Sequence, residues 1–195
     1  MKKVRIAAWL VVAFVLGIIA WPLTALLLHE EEKFDALFIG VPFAMTDRNG
    51  RAVTEKDYAG KAKAIFFGFT FCIDVCPTTL ARLTVLMEKL GPDAEKLQVI
   101  LVSVDPERDT PEVLKTYLAA FDPRMTGLTG SPEQLAAFAK SYRVFYERIP
   151  RPDGNYTLNH SAGIYLFKAS GEFQGTVNAH ESDETAILKL KLVVN

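Results

Sequence analysis

The stretch FFGFTFCIDVCPTTLARL, Phe66 to Leu83, carries both cysteines of the chain, Cys72 and Cys76. It opens inside a short, continuous apolar run, KAIFFGF (63–69), the pattern of a strand buried on both faces. It leads into Leu80, Leu83, Leu86, Met87 and Leu90, which recur at the spacing of one helical face. Pro77 falls in the first turn of that helix, where a missing amide is tolerated. The cysteines therefore sit at a strand-to-helix junction. The positive end of the helix is expected to favour thiolate over thiol there.

Outward from this junction, strands and helices alternate. LQVILVSVD (97–105) reads as a second buried strand. Thr110-Pro111 and Ser131-Pro132-Glu133-Gln134 each read as an N-cap followed by proline, the second with a capping glutamine, and open helices near Pro111 to Phe121 and Pro132 to Tyr142. RVFYERI, AGIYLFK and EFQGTVN read as strands, with a hairpin turn at Ser170-Gly171, and SDETAILKLKLVV as a closing helix. Asn49-Gly50, between short apolar runs, marks a hairpin near the start of the folded part. Alternation of this kind predicts an α/β fold. The terminal hairpin and the cysteine motif at the junction of the first buried strand and its helix point to a thioredoxin-like fold with an N-terminal hairpin.

The chain has 195 residues, half of them apolar, enough for one core-forming domain and an appendage. With 22 basic and 23 acidic residues there is no basic field of the kind nucleic-acid binding needs. The appendage is N-terminal: Lys2, Lys3 and Arg5 precede a run without charge from Ile6 to Leu28, about 35 Å as a helix. Basic residues before it and Glu30, Glu31 and Glu32 beyond it predict an N-in, C-out anchor. The run is longer than a signal-peptide core, and no cleavage site of the A-x-A kind follows. The expected organisation is a cytoplasmic tail (1–5), one transmembrane helix (6–28), a connector (29–41) and a folded domain (42–195). The expected location is a bacterial inner membrane, with the domain in the periplasm. In that compartment a cysteine pair is oxidised unless something keeps it reduced.

The CxxxC pair admits three uses. A structural disulfide suits the spacing, but closing so short a loop removes little unfolded-state entropy. Dithiol redox exchange is the second, although thioredoxins use CxxC. A metal site is the third, and it calls for another ligand. His29 lies at the membrane boundary and His180 in the polar stretch VNAHESDE, whereas His160, in YTLNHSAGIYLF, directly precedes a presumed central strand, at the end where ligand sites of such folds gather. Two thiolates and one imidazole suit copper(I) and tolerate copper(II). A structural zinc site wants four protein ligands, and no third cysteine is present. The peroxidase pattern PxxxTxxC is absent, since Thr70 stands only two residues before Cys72.

Four segments, GFTFCIDVCPTTL, VDPERDTPEVLKTY, GLTGSPEQLAAFAKSYRVFY and NHSAGIYLF, together resemble the Sco/SenC proteins, membrane-tethered thioredoxin-fold copper proteins that help metallate the CuA centre of cytochrome c oxidase. The resemblance runs from about Phe43 to the C-terminus. It implies copper held by Cys72, Cys76 and His160, with Asp74, Asp105, Arg108 and Asn159 around them. It also implies oxidase subunit II as recipient, a thioredoxin-like reductant and a periplasmic copper donor. A loop ion pair beside the Thr110 cap is the simplest structural role for Asp105, Arg108 and Asp109. Two positions depart from the family pattern: Ile73 replaces a common proline, and Asn159 replaces the aspartate before the histidine. A neutral amide there would retune copper(II) if that carboxylate orients the imidazole. The activity implied is that of a metallochaperone. The alternatives are a thiol-disulfide oxidoreductase, with Cys72 and Cys76 as a redox-active pair able to form a disulfide bond, and a redox or copper sensor.

Overall fold

In a computed structural model of the chain, the structure describes residues 42–195. The expected tail, transmembrane segment and connector, with His29, lie outside the described residues. No described helix is long and apolar enough to cross a membrane.

The domain is built on a seven-stranded sheet of order β2-β1-β5-β4-β3-β8-β9. Its strands are β1 (Ala44–Asp47), β2 (Ala52–Thr54), β3 (Ala62–Gly68), β4 (Leu97–Ser103), β5 (Thr126–Thr129), β8 (Ile164–Phe167) and β9 (Phe173–Val177). The central trio β3, β4 and β5 is parallel, and β1 and β8 close it antiparallel on either side. In β3 and β4 nearly every residue is buried, as a strand covered on both faces requires. Four helices complete the fold: α1 (Val75–Leu90), α2 (Pro111–Leu118), α3 (Pro132–Ser141) and α4 (Asp183–Val194). The apolar face expected of α1 is the face it buries, and α1 and α4 pack on each other.

The local signals act as expected. Thr110 and Ser131 cap α2 and α3 through their hydroxyls, the second in a full capping box with Gln134. Gly50 and Gly171 take positive φ in the two hairpin turns, at 78° and 89°.

Three strands depart from the expectation. β5 lies in TGLT, too short and too rich in small residues for a sequence pattern to mark. The segment around RVFYERI forms β6 (Tyr146–Pro150), which leaves the central sheet and pairs antiparallel with β7 (Tyr156–His160) in a sheet of its own. His160 thus ends a separate hairpin, four residues before β8.

Gly68 ends β3 and has no room for a side chain. A Cβ there would stand 2.9 Å from Phe66 Cε1 and 3.0 Å from Cys76 Sγ. Gly68→Ala is therefore expected to cost about 1–3 kcal/mol through overpacking, read as a lowered melting temperature. The phenyl ring of Phe66 and the Cys76 sulfur are the groups that would have to give.

Candidate metal centre

The chain turns sharply after Gly68. Val104 N donates to the Gly68 carbonyl at 2.8 Å, so β3 and β4 end together. Beyond them, the Asp109 carboxylate accepts from Thr70 N at 3.1 Å, Thr70 Oγ1 at 2.5 Å and Ser103 Oγ at 2.6 Å. Asp109 has no exposed surface, and burial raises its pKa against the pull of those three donors. It holds in place the turn that delivers Cys72.

Cys76 is fully buried in the first turn of α1 and belongs to the hydrophobic core. Cys72 is half-buried, and its sulfur accepts from Cys76 N at 3.4 Å. The helix terminus was expected to favour thiolate at the pair. For Cys76 the balance goes the other way, because burial pushes the thiol pKa up. Removal from water outweighs the partial charge of the helix end. Both cysteines are free thiols here.

His160 completes the cluster. Its Nε2 stands 3.8 Å from Cys76 Sγ, and its Nδ1–H donates to the Ser161 carbonyl at 3.0 Å. A carbonyl can only accept, so this bond fixes the tautomer and leaves Nε2 with a bare lone pair toward the thiol. Phe66 and Phe69 meet the ring edge to face, with centroids at 6.2 and 5.8 Å. Burial lowers the imidazole pKa, which keeps the ring neutral, the form a metal ligand needs.

Of the other expected residues, Asp74 occupies the N-cap position of α1, exposed and without a side-chain cap bond. Asp105 is buried, paired with Arg108 and accepting from Tyr156 Oη at 2.7 Å. Asn159 is exposed and lies across from Glu147. Neighbours on a strand face opposite sides, so its amide points away from the side His160 takes. The Ser161 carbonyl, not Asn159, orients the imidazole. His180 is exposed, in the turn before α4. Three contributors escaped sequence reasoning: Ser161, which acts through its backbone, Ser103 and Tyr156. Tyr156 shares the two-residue period of His160 along β7, and that was its only signal.

Among the described residues no three His, Cys, Asp or Glu side chains form a ready-made metal cage. Two of the expected donors do meet, Cys76 Sγ and His160 Nε2. Two donors 3.8 Å apart, with metal bonds of about 2.3 Å for sulfur and 2.0 Å for nitrogen, subtend about 120° at a shared ion. The Cys72 sulfur is engaged instead by the Cys76 amide at 3.4 Å.

A family model described as SCO1/SenC matches residues 31–195. The chain belongs to the SCO1/SenC family. Among SCO1/SenC relatives, the mitochondrial protein SCO2 of Saccharomyces cerevisiae is 36% identical over 174 residues, covering 85% of this chain and 58% of its own. This chain spans about half the length of such curated relatives. The structure of Bradyrhizobium japonicum ScoI with copper bound is 46% identical, with a TM-score of 0.74 over 80% of this chain and 99% of that one. BsSco, 27% identical with a TM-score of 0.64 over 80% of this chain and 94% of its own, is a cytochrome c oxidase assembly protein in which a disulfide switch has been identified.

The neutral imidazole gives the metal-free protein a defined acid response. With the folded pKa below the unfolded value of about 6.5, the unfolded state takes up the proton first as pH falls. Stability conferred by the neutral ring is full above that value and is lost on acidification through the folded pKa. Melting curves at pH 7 and pH 5 should separate more for the wild type than for His160→Phe.

Proposed function

We propose that the chain is a copper carrier for cytochrome c oxidase assembly, holding one copper ion through Cys72, Cys76 and His160 and passing it to the CuA-bearing subunit by ligand exchange. The observation that carries this reading is the bare Nε2 lone pair of His160 set 3.8 Å from Cys76 Sγ, with a second thiol one helical turn away. Two sulfurs and one imidazole are a soft set that suits copper(I). The copper seen on B. japonicum ScoI supports the choice of metal.

The asymmetry of the thiols suits a carrier. Cys76 is sealed in the core, whereas Cys72 is half-buried beside Ile73, which is 88% exposed. An incoming ligand can displace Cys72 first while Cys76 and His160 retain the ion. Binding must release the Cys76 proton, which the metal's own charge drives despite burial. The thiols have to be reduced beforehand, so a thioredoxin-like reductant is part of the proposal, as are a copper donor and an N-terminal anchor at the outer face of a bacterial inner membrane.

One observation favours a second reading. The Cys76 amide draws the Cys72 sulfur toward the start of α1, and BsSco has a disulfide switch. In this reading the dithiol closes to a disulfide, and its two electrons and two protons reduce the copper-binding cysteines of the oxidase.

Anaerobic titration of the reduced full chain with copper separates the two. The carrier requires one copper per chain and sulfur-to-copper(II) charge-transfer bands that change or vanish in His160→Ala and Cys72→Ser. In cells under limiting copper, both variants should lose assembled oxidase. If His160→Ala binds copper as the wild type does and supports normal oxidase levels while the cysteine variants do not, the carrier reading fails and the reductase stands.

A further inference from the structure

The turn that bears Cys72 and the hairpin that ends in His160 belong to different parts of the backbone. β6 and β7 form their own two-stranded sheet, and residues 69–74 have no regular structure. Arg108 lies between them. Its guanidinium carbon is 4.6 Å from the ring centroid of Phe71, the residue before Cys72, and 3.7 Å from that of Tyr156 on β7. Nε pairs with Asp105, and Nη1 donates to the Tyr156 carbonyl at 3.2 Å and Asn155 Oδ1 at 3.3 Å. Nη2 is buried with no hydrogen-bond partner. A buried donor left unpaired in this way is offset by the ring contacts of the same planar group.

Tyr156 is a fixed platform for this stack. Arg148, itself paired with Glu107, lies over the Tyr156 ring at 3.5 Å, and the hydroxyl is held by Asp105. Phe71, by contrast, is 54% exposed, so few other contacts restrain it.

We propose that Arg108 is a positioning residue for Cys72: through the Tyr156–Arg108–Phe71 stack it fastens the turn carrying the more exposed thiol to the hairpin carrying His160. The consequence for metal affinity rests on the reading of Cys72 as a copper ligand; the fastening itself does not. A planar guanidinium contacts two rings at once, whereas an ammonium of the same charge does not. Arg108→Lys therefore keeps the positive charge and removes the stack.

The test uses the full chain, reduced and metal-free, with iodoacetamide as probe and the labelled peptides read by mass spectrometry. Arg108→Lys and Phe71→Leu should each raise the alkylation rate of Cys72. The double variant should react no faster than the faster single variant, since both break one stack, and Phe71→Tyr should behave as wild type. Copper(I) affinity should fall about tenfold in either single variant, with a shifted copper(II) charge-transfer band. Unchanged Cys72 rates in both single variants, or rate effects that simply multiply in the double, overturn the proposal. A wild type that binds no copper sinks the ligand reading instead, and the alkylation rates still decide the positioning role. Should Arg108→Lys not fold, Phe71→Leu and Phe71→Tyr, both at a surface position, carry the comparison alone.

Discussion

The buried carboxylate of Asp109 ties together the ends of the two central strands, and the geometry of the cluster follows from it. An ionised group without exposed surface is costly, and its burial is offset here only because Thr70 and Ser103 supply three donors. Thr70 leads directly into the cysteine turn. Ser103 in turn accepts from Asp105 N at 3.0 Å, which sets the acidic loop. One carboxylate thus orders both the segment that presents Cys72 and the loop from which Arg108 reaches Phe71 and Tyr156. The Asp105, Arg108, Asp109 cluster is structural in each of its contacts, and through those contacts it shapes the centre.

The cluster combines rigidity and access in unequal parts. Cys76 is packed beneath Gly68, and His160 is held by a backbone carbonyl and two phenylalanine edges. The Cys72 sulfur accepts one long hydrogen bond, from the Cys76 amide, and its neighbours Phe71, Ile73 and Val75 are exposed apolar groups. Phe145, 55% exposed, hydrogen-bonds through its backbone to Ser161 beside the imidazole. The exposed Ile73 leaves the loop between the sulfurs free of the constraint that proline would impose.

Much of the fold could be read in the sequence, because its signals were local. A continuous apolar run, leucines at helical spacing, proline after a hydroxyl cap and glycine in a turn each specify their own few residues. The two strands that escaped had no such signal. TGLT becomes β5 because β4 and β1 offer it hydrogen bonds on both sides. YTLNH becomes β7 because β6, once outside the central sheet, needs a partner. The cysteines and the histidine were legible as chemistry, since soft donors are rare in this chain. The role expected for Asn159 rested on its position in the motif, and strand alternation turns its side chain away from the cluster.

The amino-acid sequence by itself determined the donor types, the strand-to-helix junction that carries them and the family to which the chain belongs. Each of these depends on residues close together in the chain. Only the tertiary structure decided which thiol is sealed, which imidazole nitrogen is free and what fastens the turn to the hairpin. Those outcomes come from contacts between residues far apart in sequence: Gly68 with Cys76 and Leu101, Cys76 with His160, and Phe71 with Arg108 and Tyr156. Burial and hydrogen-bond geometry at such contacts exist only once the layers have packed. They set the acidity of Cys76 against the pull of the helix end, and no local pattern encodes that balance.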